Sequence, residues 1–399
     1  MGTTTRILMI VSNGYTHDPR VAAEAESLQR AGHEVHVIAW DRRGTLTAEE
    51  TRNEVQVHRL RNTIGMRLRM YDIFRLPPFW RLAARQALRL HRQAPFGVVH
   101  CHDLDTLPAG VRIKRQAGIP LVYDVHEPFP DLMEQTPARR FAPQYRRMER
   151  RLASEVDLFV TINAPMEGYL RALAPAAPVV VVQNSKPLLW TTWEPPQTSR
   201  MRVLYLGTLD ATRLVLPLAE LATEEKTFEL HVGGSGALEP QILRLAQGSE
   251  GHVVFLGLVP MEEVLPRTRA ADVVVIMGDP NERQARIYGL PNKFFECLVA
   301  GRPVIVSKGT WIGGQVESLG CGLAVEFSKE ALRAALRNLA EDPPLRERLG
   351  RTGLRLALEK YNWATDEAVL LDAYRRLGAG PQAAVHGTGG TAGARPPQG

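Results

Sequence analysis

The chain has 399 residues, 44% of them hydrophobic and 23% charged, with a net charge of +6. This length is too great for one ordinary core and suits two, and the composition is that of a soluble globular protein, not of a fibrous or disordered one. No apolar run nears the roughly 18 residues of a membrane span, and Cys101, Cys297 and Cys321 are too scattered for a disulfide framework or metal knuckle, so a reducing cytoplasm is the expected setting.

The segment "MGTTTRILMIVSNG" has an apolar centre of only "ILMIV" and reads as a first strand (6–12), not a signal peptide. Then come the amphipathic helix "PRVAAEAESLQRAGHE", ended by Gly32, and a second strand at 34–40. Between Arg59 and Arg92 nine arginines face one acid, Asp72. Arg81, Arg85, Arg89 and Arg92 form a helical stripe beside Phe79 and Trp80, a pattern that suits a peripheral anionic membrane contact or simply a solvated face. A second basic cluster, "ARRFAPQYRRMERR", spans 138–151. Without a recognition motif this charge does not point to nucleic acid. Further strands are expected at 96–102, 119–126, 157–162 and 177–184.

The aperiodic, proline-rich stretch 185–201 reads as a linker, and a second alternating series follows at 202–207, 228–234, 252–257, 272–278, 302–307 and 323–327. The expected layout is one Rossmann-like domain over 1–190 and a second over 191–361. A returning helix over 362–377 and a disordered tail over 378–399, poor in large apolar residues, complete it. Two doubly wound α/β domains facing a cleft place the ligands at the strand-to-helix loops.

In the second domain "YLGTLDATR" ends a strand at Gly207 and delivers Arg213, a pattern suited to a diphosphate, and "HVGGSG" adds Gly233 and Gly234. In "LPNKFFECLVAGRPVI" the lone carboxylate of Glu296 sits in a segment built for burial and needs a partner. The candidates are Lys293, one turn back, or the vicinal diol of a ribose. Asp103 and Asp105 in "HDLD" resemble a metal-binding pair, but the second α/β series argues for a strand-end loop contacting a ligand or solvent and for no metal.

"YGLPNKFFECLVAGRPVIVS" resembles the signature of family 4 glycosyltransferases, retaining enzymes of the GT-B fold. The likeness extends to "SNGYTHDPRVAAEAESLQRAGHEVHVI", "VVHCHDLDTLPAG", "PLVYDVHE", "VDLFVTIN", "VVQNS" and the final "YNW" helix. It implies a nucleoside-diphosphate sugar as donor substrate bound by the domain over 191–361, no further cofactor, an acceptor small molecule or glycan bound by the domain over 1–190, and a last helix crossing back to the first domain. Glu296 matches the second glutamate of the family's E-x7-E element, which binds donor ribose; the first falls at Tyr288. Backbone groups of Leu290, Pro291 and Asn292 are then candidates to hold the sugar. Thr208 stands where the family has a phosphate-binding arginine, and Arg213 takes that role. His126 matches the active-site histidine, flanked by Asp124 and Glu127 on the acceptor side, and Asn13 and Gly14 open a loop that approaches the diphosphate. A nucleotide-sugar 2-epimerase of the same fold and a non-catalytic nucleotide-sugar binder are the alternatives.

Overall fold

The structure is a computed structural model that describes residues 4–16, 18–61, 72–134, 136–289 and 291–378. Leu290 and the expected disordered tail from 379 onward lie outside these residues. The first half forms an eight-stranded sheet: β1 (Arg6–Val11), β2 (Glu34–Asp41), β3 (Glu49–Arg52), β4 (Val55–Arg61), β5 (Val98–His102), β6 (Leu121–Val125), β7 (Leu158–Thr161) and β8 (Val179–Val181). Its order is β3-β4-β2-β1-β5-β6-β7-β8, and every pairing is parallel except β3 with β4. That hairpin is absent from the sequence reading. It turns on Asn53 and Glu54, both at positive φ, as a two-residue turn between right-twisted strands requires.

The second half forms a six-stranded parallel sheet from β9 (Met201–Leu206), β10 (Phe228–Gly233), β11 (Val253–Gly257), β12 (Val273–Ile276), β13 (Val304–Ser307) and β14 (Gly322–Val325). Its order is β11-β10-β9-β12-β13-β14. The direction of winding reverses between β9 and β12, and in the first sheet between β1 and β5. In sheets of this kind the crevice for a ligand opens at such reversals.

Both faces of each sheet are covered, which is why the strands read as unbroken apolar runs. In β1, Leu8 and Ile10 join a core with Trp40, Phe79 and Phe159, while Ile7, Met9 and Val11 point to the other face. That second face is covered by the first helix (Pro19–Arg30) together with the last (Trp363–Gly378), which supplies Trp363, Leu370 and Tyr374. The Trp363 indole donates to Ser27 Oγ at 3.0 Å, joining residues 336 apart in sequence.

The chain crosses between the halves twice, and the crossings touch. Lys186 and Asn362 form a parallel bridge, Trp363 N donates to Lys186 O at 3.0 Å, and Ser185 N donates to an Asp366 carboxylate oxygen at 3.1 Å. Beyond Lys186 the linker is fastened to the second half: Trp193 donates to Gly301 O at 3.0 Å and lies under the Arg351 guanidinium, and Trp190 lies under Arg269.

Candidate functional site

A cavity of about 270 Å³ lies between the two halves, where both sheets present the carboxyl ends of their strands. From the second half it is lined by Tyr205 to Thr208 at the end of β9, by Arg213, and by Val275 to Met277 at the end of β12. Residues from Glu282 to Lys293 complete that side, and Arg20, His126, Glu127 and Asn184 face it from the first half.

Two cations meet backbone at the reversal point. Lys293 Nζ lies 3.3 Å from where a Cβ on Gly207 would stand, and an Arg213 guanidinium nitrogen lies 3.3 Å from the same position on Gly278. Lys293 occupies the first turn of the helix Asn292–Ala300, whose unpaired N–H groups and dipole add positive potential. Burial lowers the Lys293 pKa; Glu296 opposes that, and the charges of Arg213 and Lys186 reinforce it. Lys293 and Arg213 thus give this end of the cavity a local positive charge that suits an anion.

Gly233 and Gly234 serve that loop from beneath and do not line the cavity. Gly207 N donates to Gly233 O at 2.9 Å, and a Cβ on Gly234 would stand 1.8 Å from Gly207 O, so only glycine fits there. The Tyr205 hydroxyl holds Thr208 O at 2.6 Å. Asn13 and Gly14 likewise serve their own neighbourhood: the Asn13 side chain bonds Asp18 and Tyr15 N, Leu46 packs on Gly14, and Gly14 O accepts from Arg59 at 2.8 Å.

Glu296 is 6% exposed, and its ionic partner is neither residue of its own helix turn nor solvent. Lys186, at the crossing between the halves, places its ammonium 3.7 Å from Glu296 Oε1. Burial lowers the Lys186 pKa and Glu296 opposes it. The sequence offered Lys293 as the protein partner; the turn of the helix instead carries Lys293 toward Gly207.

Tyr288 is an interdomain contact. Its carbonyl accepts from Asn163 Nδ2 at 2.8 Å, and its ring meets Tyr169 edge-on, with centroids 6.4 Å apart.

His126 lines the cavity yet is 2% exposed. Its Nδ1 lies 3.3 Å from Asp103 Oδ2 and its Nε2 lies 2.8 Å from Asp124 Oδ2. Burial penalises the charged imidazole, but the carboxylates of Asp124 and then Asp103 outweigh this and hold its pKa well above the ordinary value. Asp103 and Asp124 thus act on His126, while Glu127 reaches the cavity itself. Burial, then the Asp103 charge, raises the Glu127 pKa. Asp105 turns away and accepts from Ser12 Oγ, and burial followed by the Asp103 charge pushes its pKa up to about 7.

Arg20, Asn184 and Lys186 were not among the residues singled out in the sequence. Pro19-Arg20 opening a helix just after the first strand–loop was the available signal for Arg20, since N-terminal helix turns at a sheet reversal point face the cleft.

Residues 17–185 match the family model of a glycosyl transferase 4-like domain, and residues 200–342 match that of the glycosyl transferases group 1. The chain is 24% identical over 183 residues to an alpha-D-kanosaminyltransferase of Streptomyces kanamyceticus, covering 44% of this chain and 46% of the relative. It is also 24% identical over 243 residues to a GDP-mannose-dependent monoacylated alpha-(1-6)-phosphatidylinositol monomannoside mannosyltransferase of Corynebacterium glutamicum, covering 55% of this chain and 62% of the relative. The chain thus spans about half to three-fifths of the length of these two relatives. In fold it resembles sucrose-phosphate synthase from Thermosynechococcus elongatus, with a TM-score of 0.72 at 18% identity over 94% of this chain and 100% of that one. It likewise resembles the Anabaena protein HepE in complex with UDP and glucose, with a TM-score of 0.68 at 15% identity over 93% of this chain and 100% of that one.

Proposed function

Because the chain belongs to the family 4 glycosyltransferases, with their GT-B fold, we propose that it transfers a sugar from a nucleoside diphosphate to an acceptor nucleophile with retention at the anomeric carbon. The observation that carries this reading is the pair of cations, Lys293 and Arg213, set against glycine backbone at the reversal point of the second sheet. A diphosphate placed there is stabilised most as it departs, when its negative charge grows. Glu296 accepts hydrogen bonds from the ribose hydroxyls, and backbone of Pro291 and Asn292 holds the sugar in place of the carboxylate that Tyr288 replaces.

The acceptor enters from the side of His126 and Glu127. Its oxygen forms the bond to the anomeric carbon as the bond from that carbon to the diphosphate breaks, and its proton passes to a departing phosphate oxygen. No divalent ion is required at the diphosphate, because the two cations supply the charge. One relative's name prints the transferred sugar alone, kanosaminyl, and the other's prints a phosphatidylinositol monomannoside; small-molecule and glycan or lipid-linked acceptors both stay within the proposal.

The test is incubation with radiolabelled UDP- and GDP-sugars and an acceptor panel. Label in a glycoside supports transfer, an isomerised donor alone indicates a 2-epimerase, and a bound but unchanged donor indicates a binding protein. His126→Ala is expected to lower turnover at least tenfold while nucleoside diphosphate affinity changes less than threefold, since His126 stands on the acceptor side. Unchanged turnover in the folded variant would remove His126 from the reaction.

No described helix is long and apolar enough to cross a membrane. Arg81, Arg85, Arg89 and Arg92 are all exposed, supporting a peripheral contact at the inner face of the membrane. The expected aromatic partners are not available to it: Phe79 is buried against Trp40, and the Trp80 indole donates to Asp105 O at 2.6 Å. The contact is then purely electrostatic. Sedimentation with anionic vesicles at low salt should pellet the protein, and raising the salt to shrink the Debye length should release it. Equal absence from anionic and neutral pellets at low salt would leave the stripe as a solvated face.

A further inference from the structure

We propose that Glu24, His102, Asp124 and His126 form a divalent-metal site of the zinc type, buried behind the cavity and independent of the donor site. The four residues come from three elements: Glu24 from the first helix, His102 from the end of β5, and Asp124 and His126 from β6 and the residue beyond it. Each offers a ligand atom, and these atoms all lie within 4.8 Å of one another. Tetrahedral ligands at bond lengths of ~2.0–2.1 Å stand roughly 3.3 Å apart, so a modest contraction closes the set.

The second observation is the state of the individual atoms. Glu24 and His102 are 1% and 3% exposed, yet Glu24 Oε2 and His102 Nε2 have no hydrogen-bond partner among the described residues, Glu24 Oε2 having only His100 Nε2 at 3.8 Å. Two such atoms in one buried place are costly unless something binds both. The other nitrogen of each ring is already committed. His102 Nδ1 lies 2.9 Å from Asp124 Oδ2 and His126 Nδ1 lies 3.3 Å from Asp103 Oδ2. On His102 the carboxylate at Nδ1 fixes the proton there and leaves Nε2 with a free lone pair, the arrangement found around histidines that ligate metals, whereas His126 Nε2 faces Asp124 Oδ2 at 2.8 Å and joins the set only when an ion replaces the proton between them. The two rings are parallel, at an interplanar angle of 4°.

His100 stacks on His102 but stays outside the set, its Nδ1 lying 2.7 Å from the Tyr374 hydroxyl of the last helix. Two imidazoles and two carboxylates, with no thiolate, suit zinc and its divalent neighbours. An ion there would tie the first helix to β5 and β6 and fix the His126 ring at the cavity wall. A single buried water could meet the same atoms and is the outcome to be distinguished.

The experiment needs neither donor nor acceptor, so its failure is separable from failure of glycosyl transfer. The full chain is stripped with chelator, reloaded with Zn²⁺, dialysed against metal-free buffer and analysed for metal. About one zinc per chain is expected to remain. Glu24→Gln and His102→Gln should each weaken retention at least tenfold, and Co²⁺ loading of the wild type should give the visible absorption of tetrahedral cobalt. Loss of all zinc from the wild type on dialysis overturns the site, as does retention unchanged in the folded Glu24→Gln variant. If His102→Gln fails to fold, Glu24→Gln and the cobalt spectrum decide.

Discussion

Lys293→Ala is expected to reduce turnover by about 10²–10³-fold, the cost of removing one preorganised donor to a developing negative charge. The reasoning rests on where the ammonium sits. It lies against Gly207, on the loop that closes the reversal point, and it shares the cavity with Arg213. Burial and the neighbouring cations already make its charge costly in the free protein. Binding energy gained by neutralising that charge is therefore largest when the diphosphate is most negative, late in its departure. Arg213→Ala should behave alike, and the double variant should lose less than the sum of the two losses, because the charges act on one group. Steady-state rates at saturating acceptor measure this. A Lys293→Ala rate within threefold of wild type in a folded protein would show that the diphosphate lies elsewhere.

Glu296→Ala should produce two losses that a second substitution separates. Loss of two charge-assisted hydrogen bonds to the ribose, at roughly 1.5–3 kcal/mol each, should weaken nucleoside diphosphate binding by about a hundredfold or more. The protein itself should also become less stable. Glu296 and Lys186 face each other with side chains only 8% and 13% exposed, and removing one member of a buried pair leaves an uncompensated charge. The cost approaches about 3 kcal/mol, limited because Lys186, its pKa already lowered, can shed its proton. Adding Lys186→Met should restore the melting temperature and leave the affinity low. Calorimetric titration and thermal unfolding of the three variants read the two effects apart. Equal nucleotide affinities in wild type and Glu296→Ala would make the carboxylate purely structural.

Much of this architecture was legible because parallel strands covered on both faces leave an unmistakable sequence trace. Each strand named from an apolar run, from "RILMIVS" to "LAVEF", is present in the sheets. Of the hairpin, β3 escaped because "EETR" is exposed throughout and carries no apolar signal, whereas β4, "VQVHRLR", alternates buried and partly buried residues and did carry one. At the site, the expectation that a carboxylate in an apolar segment must have a partner holds for Glu296, but the protein partner is Lys186 and not Lys293. Lys186 is 110 positions away in the chain, and no periodicity links a linker residue to a helix face. The same argument applied to "VVHCH" would have flagged His100 and His102, two polar residues two apart on one face of a buried strand. Tyr288 shows the converse limit. Nothing in the sequence around it announces the contact that it makes across the cleft through its carbonyl and ring.

The seating of Trp363 and Tyr374 on the face of Ile7, Met9 and Leu28 has a consequence for biosynthesis. The part of this face that the first helix leaves open stays uncovered while the linker and the whole second domain are made, because the rest of its cover is encoded more than 300 residues downstream of Ser27. The earliest strands to leave the ribosome are thus among the last to be fully buried, and the amino-terminal half cannot mature as an independent vectorial folding unit. For the length of that delay its exposed apolar face is a natural client surface for chaperones, and a chain broken off anywhere before residue 363 would keep it permanently.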